Sequence, residues 1–344
     1  MNSLQTVKSH GVSAASADIS AFRRTYVAGV VTRASLLIIT VVCAVVATLP
    51  GPARAAGTTL LIVAMGVYLL LSWRSMQVSR EAMSASLFLA RGQKDEAERV
   101  LRASLRRFSL FPAHRVIELY HLAALRQGQG RYTEAAELAS AVITAQAGPT
   151  SRRRFRRSMP DIYGLGAAAA GGRTGRAASG AAGNIGSDAG GVGEAGIEVA
   201  SLLLRIECLL ELRDLHGAYD GIARLASVVL PLPESVRLLA SRSRYELAIG
   251  AYDLVLHDLP TKLAMVDLMP ASPAIETLAG FAAAAHATGR QDLARWLITR
   301  AVAASTGEGS LEMITTTAPQ VADLARAVAA EIRSLSHAPA PPNG

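Results

Sequence analysis

The chain has 344 residues, two cysteines and a formal net charge of +8, with 51% hydrophobic, 18% charged and 5% aromatic residues. Neither cysteine, Cys43 or Cys208, has a motif partner, which excludes a disulfide framework and a thiolate metal site. The basic excess is local: residues 1–80 hold seven basic residues and one acidic, residues 151–196 hold seven against three, and the remainder 21 against 23. A nearly neutral remainder offers no phosphate-tracking surface, so no nucleic acid is expected as a partner.

Residues 1–25 read as a cytoplasmic N-terminal tail, and residues 26–73 as a transmembrane helical hairpin. Ala34–Leu49 and Ala55–Trp73 are uncharged and apolar, and only Pro50-Gly51-Pro52-Ala53-Arg54 separates them. A bilayer core takes about 20 apolar helical residues. The second segment meets this alone. The first meets it if Tyr26–Val31 joins it and Arg33 snorkels. Tyr68 and Trp73 suit a headgroup boundary. Runs this long without charge are rare in buried helices of soluble proteins. Ala53-Arg54-Ala55 also fits a signal-peptide cleavage site, but more than 20 residues precede Arg23-Arg24, which is long for such a leader. Six of the seven basic residues in 1–80 flank the hairpin and only Arg54 lies in its turn. The positive-inside rule then places both termini, and the domain that follows, in the cytoplasm of a multi-pass inner-membrane protein with two spans.

Behind the hairpin a short pattern recurs. It begins at Gly92, Gly130, Arg213, Gly250 and Gly289, with spacings of 38, 83, 37 and 39 residues. The spacing of 83 contains an insert, residues 151–196. In four of the five copies a glycine ends one helix with a positive φ, and Arg213 stands in its place in the third. A small residue five positions later (Ala97, Ala135, Ala218, Val255, Ala294) lets the next helix approach closely. Apolar residues then recur at helical spacing, as in Ala97, Leu101, Leu105 or Ala294, Ile298, Ala301.

This pattern resembles the tetratricopeptide repeat (TPR) family. The second copy carries it through Leu119, Leu122, Ala123, Gly130, Tyr132 and Ala135, and the fifth through Leu278, Phe281, Ala282, Gly289, Ala294 and Ala301. The family period is about 34 residues, so the longer spacing here implies longer helices or loops. Arg205 and Arg242 fall where the pattern has a buried apolar residue, which suggests a one-residue shift of those helices. The resemblance implies an all-α chain: the hairpin, then a TPR-like α-solenoid of about five helix pairs at residues 81–150 and 197–305. Leu311–Leu335 reads as a capping helix, and residues 336–344 as a disordered tail. The insert opens with Arg152, Arg153, Arg154, Arg156 and Arg157 and continues rich in Gly and Ala. That composition suits a disordered loop, with the arginines as candidate contacts to anionic lipid.

The TPR resemblance also implies function. Family register puts Tyr120, His121, Gln127, Glu207, Glu211, Arg237, Arg244 and His286 in a groove that binds peptide segments or helices of a protein partner. Arg99 and Arg102 fall on the outer face. Two-helix bacterial membrane proteins with TPR tails share the layout loosely, but their turn is longer. The expected function is a membrane-anchored scaffold or adaptor. The alternative is a non-catalytic regulatory subunit that contacts a membrane enzyme or transporter through the hairpin. No nucleophile–base pair, metal-ligand spacing or phosphate loop is present, so neither catalysis nor a cofactor is expected. Asp253 and His257, four apart, suit an ion pair better than a metal site.

Overall fold

The computed structural model describes residues 3–48, 50–146, 194–304 and 309–336. Regular structure among them is helical throughout, and the chain divides into two compact units, residues 1–208 and 209–344.

The first unit contains α1 (Ser3–Ala47), α2 (Pro52–Ala90), α3 (Lys94–Arg106), α4 (Pro112–Gly128), α5 (Tyr132–Gln146) and most of α6 (Glu194–Glu211). Gly51, at φ 84°, reverses the chain into α2. The two helices then run antiparallel in close contact, and a Cβ on Gly57 would stand 2.6 Å from the Ala47 nitrogen. Both are long and apolar enough to cross a membrane. Their most apolar stretches have mean hydropathies of 2.4 and 1.9, with 6% and 11% of the residues buried. Val31, Leu37, Ile38, Ile62, Leu69 and Trp73 are all exposed. A hairpin buried in a soluble core would instead enclose such side chains.

The expected N-terminal tail is part of α1, and from Ala15 onward the helix is packed. Ala15, Asp18, Phe22 and Gly29 form a buried stripe. Thr25 Oγ1 donates to the Leu105 carbonyl at 3.2 Å, and Asp18 pairs with Arg102 at 3.0 Å. Through this stripe α1 rests on α3, α4 and α5. The far half of α2 is packed in the same way. Ser75 Oγ accepts the Leu110 N–H at 2.8 Å, and Ser79 Oγ lies 2.7 Å from His114 Nδ1. The apolar helix α2 therefore continues without a break into the first helix pair, whose two members are the end of α2 and α3, and the first half of α1 packs beside it.

One turn joins the members of each helix pair. Gly92, Gly130, Gly250 and Gly289 adopt φ of 74° to 78°, and Arg213 takes 60° at the equivalent place. The next residue donates its N–H five residues back: Gln93 to Phe88, Arg131 to Arg126, Asp214 to Leu209, Ala251 to Glu246 and Arg290 to Ala285, at 2.8–2.9 Å. This is the Schellman closure, which satisfies carbonyls that the ending helix leaves open. Ala97, Ala135, Ala218, Val255 and Ala294 follow, and each is 0% exposed.

The second unit contains the end of α6, then α7 (Leu215–Ala226), α8 (Leu232–Ala248), α9 (Tyr252–Leu256), α10 (Leu259–Val266), α11 (Ala271–Ala287) and α12 (Gln291–Ala303). After these come α13 (Gly309–Thr317), a 3-10 turn at Pro319–Val321 and α14 (Ala322–Ser336). Its core gathers Val255, Leu278, Phe281, Ala282, Leu297, Ile298, Ile314 and Ala325.

Two expected helices are broken, each by a proline. The second helix of the fourth pair ends at Leu256, because Pro260 has no N–H and its ring clashes with the carbonyl four residues back. The single capping helix expected at Leu311–Leu335 is instead α13 and α14. Pro319 drives Ala318 out of the helical region, to φ −134° and ψ 71°. Both pieces still cover the last pair, α13 against α11 and α14 against α12. At Arg205 and Arg242 the buried positions are the neighbours Leu204, Ile206, Ser241 and Ser243, in line with a one-residue shift.

Candidate partner-binding face

In the first unit, α4 carries Tyr120, His121 and Gln127. The rings of Tyr120 and His121 lie 5.7 Å apart, and His121 is exposed. Gln127 Nε2 donates to Glu207 Oε2 on α6 at 2.8 Å. The first helices of the second and third pairs are thus joined by two residues of the expected groove.

In the second unit, Arg244 on α8 pairs with Glu211 Oε1. Arg237, two turns earlier on the same helix, is half-buried and is engaged within the chain. Arg242 pairs with Glu246 on the same helix, at 2.7 Å. His286 Nδ1 lies 3.0 Å from Gln291 Oε1 across the fifth turn. Four of the eight expected groove residues therefore bond one another. One bond lies in each unit and links the first helix of one pair to that of the next, so a ligand at either place would have to compete with the bond there.

The sequence reading missed a charged network behind this face. Arg126 is 0% exposed. Its guanidinium forks onto Glu98 at 2.8 and 2.7 Å, and its Nε lies 3.4 Å from Glu134 Oε2. Gln129 donates to Glu98 at 3.1 Å, and Arg102 bridges Glu98 to Asp18 of α1. Arg102 is therefore an internal link, whereas Arg99 is exposed as expected and pairs with Glu96. Burial alone would raise the Glu98 carboxyl. The hydrogen bond from Gln129 and the charges of Arg126 and Arg102 outweigh it and hold the group below its usual value. Burial dominates at Glu118 and raises it, although Arg115 opposes. Arg115 itself donates to the carbonyls of Ser104 and Arg107, closing the C-terminus of α3. The signal for these arginines was their place inside an otherwise apolar helix stripe.

His257 stands beyond the end of α9 in an extended conformation, so it does not share a helical face with Asp253. Among the described residues no group of three or more His, Cys, Asp or Glu is placed to hold a metal ion. Arg152, Arg153, Arg154, Arg156 and Arg157 lie outside the described residues. In comparisons with known proteins, no family model, curated protein or solved structure matches this chain.

Proposed function

We propose that this chain is an inner-membrane scaffold or adaptor. The α1–α2 hairpin anchors it, both termini face the cytoplasm, and TPR-like helix pairs receive a peptide segment or helix of a partner protein. It works by binding, without catalysis. The observation that supports this most is the fivefold recurrence of one turn, with the same closure and a fully buried residue, alanine in four copies and Val255 in the other, five positions later. A repeated unit of this kind presents successive first helices on one side, which is how repeat proteins build extended binding faces. The continuity of α1 and α2 with the first pair supports a domain held at the membrane surface.

The test is site-specific photo-crosslinking in the full chain within membranes. A photoreactive residue at Tyr120 or Arg237 is expected to yield a discrete protein adduct, and one at Arg99 none. The same adduct from all three positions would remove the groove assignment. Thiol labelling of a cysteine at position 340 from the periplasmic side of intact cells would overturn the orientation.

A further inference from the structure

A cavity of about 550 Å³ lies between α2 and the loop that joins α3 to α4. Leu71, Arg74, Gln77, Glu81, Arg107 and Phe108 line it. Its level along the hairpin is fixed by two contacts. A Cβ on Gly29 would meet the Ser109 carbonyl oxygen at 2.4 Å, and Ser75 binds the next residue, Leu110. Gly29 and Ser75 are therefore level with each other across the antiparallel pair, as Ala47 and Gly57 are near the turn. Eighteen residues of helix separate Gly29 from Ala47, about 27 Å at 1.5 Å per residue. A bilayer hydrocarbon core is about 30 Å thick. The loop thus meets α2 one core thickness from the turn, just past Trp73, where phosphates begin.

The cavity also has the charge for them. Arg74 is exposed and has no ion-pair partner among the described residues, and Arg107 pairs with Glu81, leaving one positive charge in excess. Guanidinium groups bind phosphate oxygens in a fork. Phe108, exposed beside them, offers an apolar ring at the depth where chains meet headgroups. We infer that this cavity is a binding site for the phosphate headgroup of an anionic phospholipid in the leaflet facing the repeat domain, with Arg74 and Arg107 as its ligands. The inference rests on the hairpin spanning a bilayer. This cavity is a separate place from the arginines of the insert, which lie outside the described residues.

Trp73 adjoins the site, and Trp296 is the second tryptophan of the chain. The experiment uses full-length protein carrying Trp296→Phe, in phosphatidylcholine vesicles in which one fifth of the lipid is brominated phosphatidylglycerol or brominated phosphatidylcholine. Trp73 quenching by the brominated phosphatidylglycerol is expected to be at least about threefold stronger, because juxtamembrane cations favour anionic lipid. Arg74→Gln, which removes no ion pair among the described residues, should abolish most of this preference, and Arg74→Gln/Arg107→Gln all of it. Quenching by the brominated phosphatidylcholine should stay unchanged. Absence of quenching by either lipid would overturn the membrane reading and this site with it. Equal quenching by both would overturn the site alone. A preference that survives the double substitution would assign it elsewhere. Loss of the preference on adding inorganic phosphate at constant ionic strength would show a site for free anions instead of lipid.

Discussion

Gly29 of α1 packs directly on the backbone of Ser109, so closely that a methyl group at position 29 would stand 2.4 Å from the Ser109 carbonyl oxygen. Because the obstacle is backbone, Gly29→Ala must push α1 off the α3–α4 loop. We expect it to lower stability by about 1–3 kcal/mol, read as a fall in melting temperature of the full chain in detergent. Gly66→Ala, inside α2 where a methyl group would meet nothing within 4 Å, should not lower it. Equal behaviour of the two variants would refute the docking.

Arg126→Leu should be severe. It leaves Glu98 and Glu134 without their shared partner in a buried setting, and breaking such a pair costs about 3–5 kcal/mol. Arg126→Lys should recover little, since an ammonium cannot make the two parallel bonds to Glu98. Full recovery by lysine would show that only charge matters there.

The Glu98 carboxyl titrates below its usual value in the folded chain. Its contribution is therefore fully present above the ordinary carboxylate range and lost as pH falls through the lowered folded value. Glu98→Gln should be less stable than the parent at pH 7, and the gap should narrow steadily toward pH 3. A gap that is constant with pH, in melting curves of both proteins, would rule out the ionic contribution.

The third turn invites a gain. Arg213 holds φ 60° where the other copies have glycine. Arg213→Gly should raise stability by about 0.5–1 kcal/mol by relieving left-handed strain, and Gly130→Ala should lower it by a similar amount. Chemical denaturation midpoints moving in the same direction for both would contradict the shared turn geometry.

The fragment 81–344 lacks the α1 stripe that covers α3, α4 and α5. It should remain helical but bind a hydrophobic dye more strongly than the full chain. A synthetic peptide of residues 13–31 should reduce that binding. No difference in dye binding from the full chain would mean that α1 is not part of the fold.

The repeating turns were legible because four of the five carry a glycine that needs positive φ, and four of the five an alanine five positions later; the third, at Arg213, was read from its spacing. The helical pattern and the two apolar helices were equally plain. The packed half of α1 was not. Its packed stripe runs Ala15, Asp18, Phe22, half-buried Thr25 and Gly29, a mixture of small, charged and aromatic residues whose recorded partners lie about 80 residues away. No hydrophobic period marks such a stripe. Gln127–Glu207 and Glu211–Arg244 are long-range pairs, and register on one helix does not reveal which side chain stands opposite. The breaks at Pro260 and Pro319 were readable from the rigid ring itself.

The unbroken course of α2 from Pro52 to Ala90 has a mechanical meaning. At about 1.5 Å per residue it is a rod roughly 58 Å long, with one end in the proposed bilayer and the other inside a packed helix pair. A flexible linker would let the two ends move independently, whereas a rod makes them one lever. A bilayer a few ångströms thinner would tilt the hairpin, and that tilt would swing the first helix pair through the same angle. Lipid thickness would then set the angle at which the domain meets its partner.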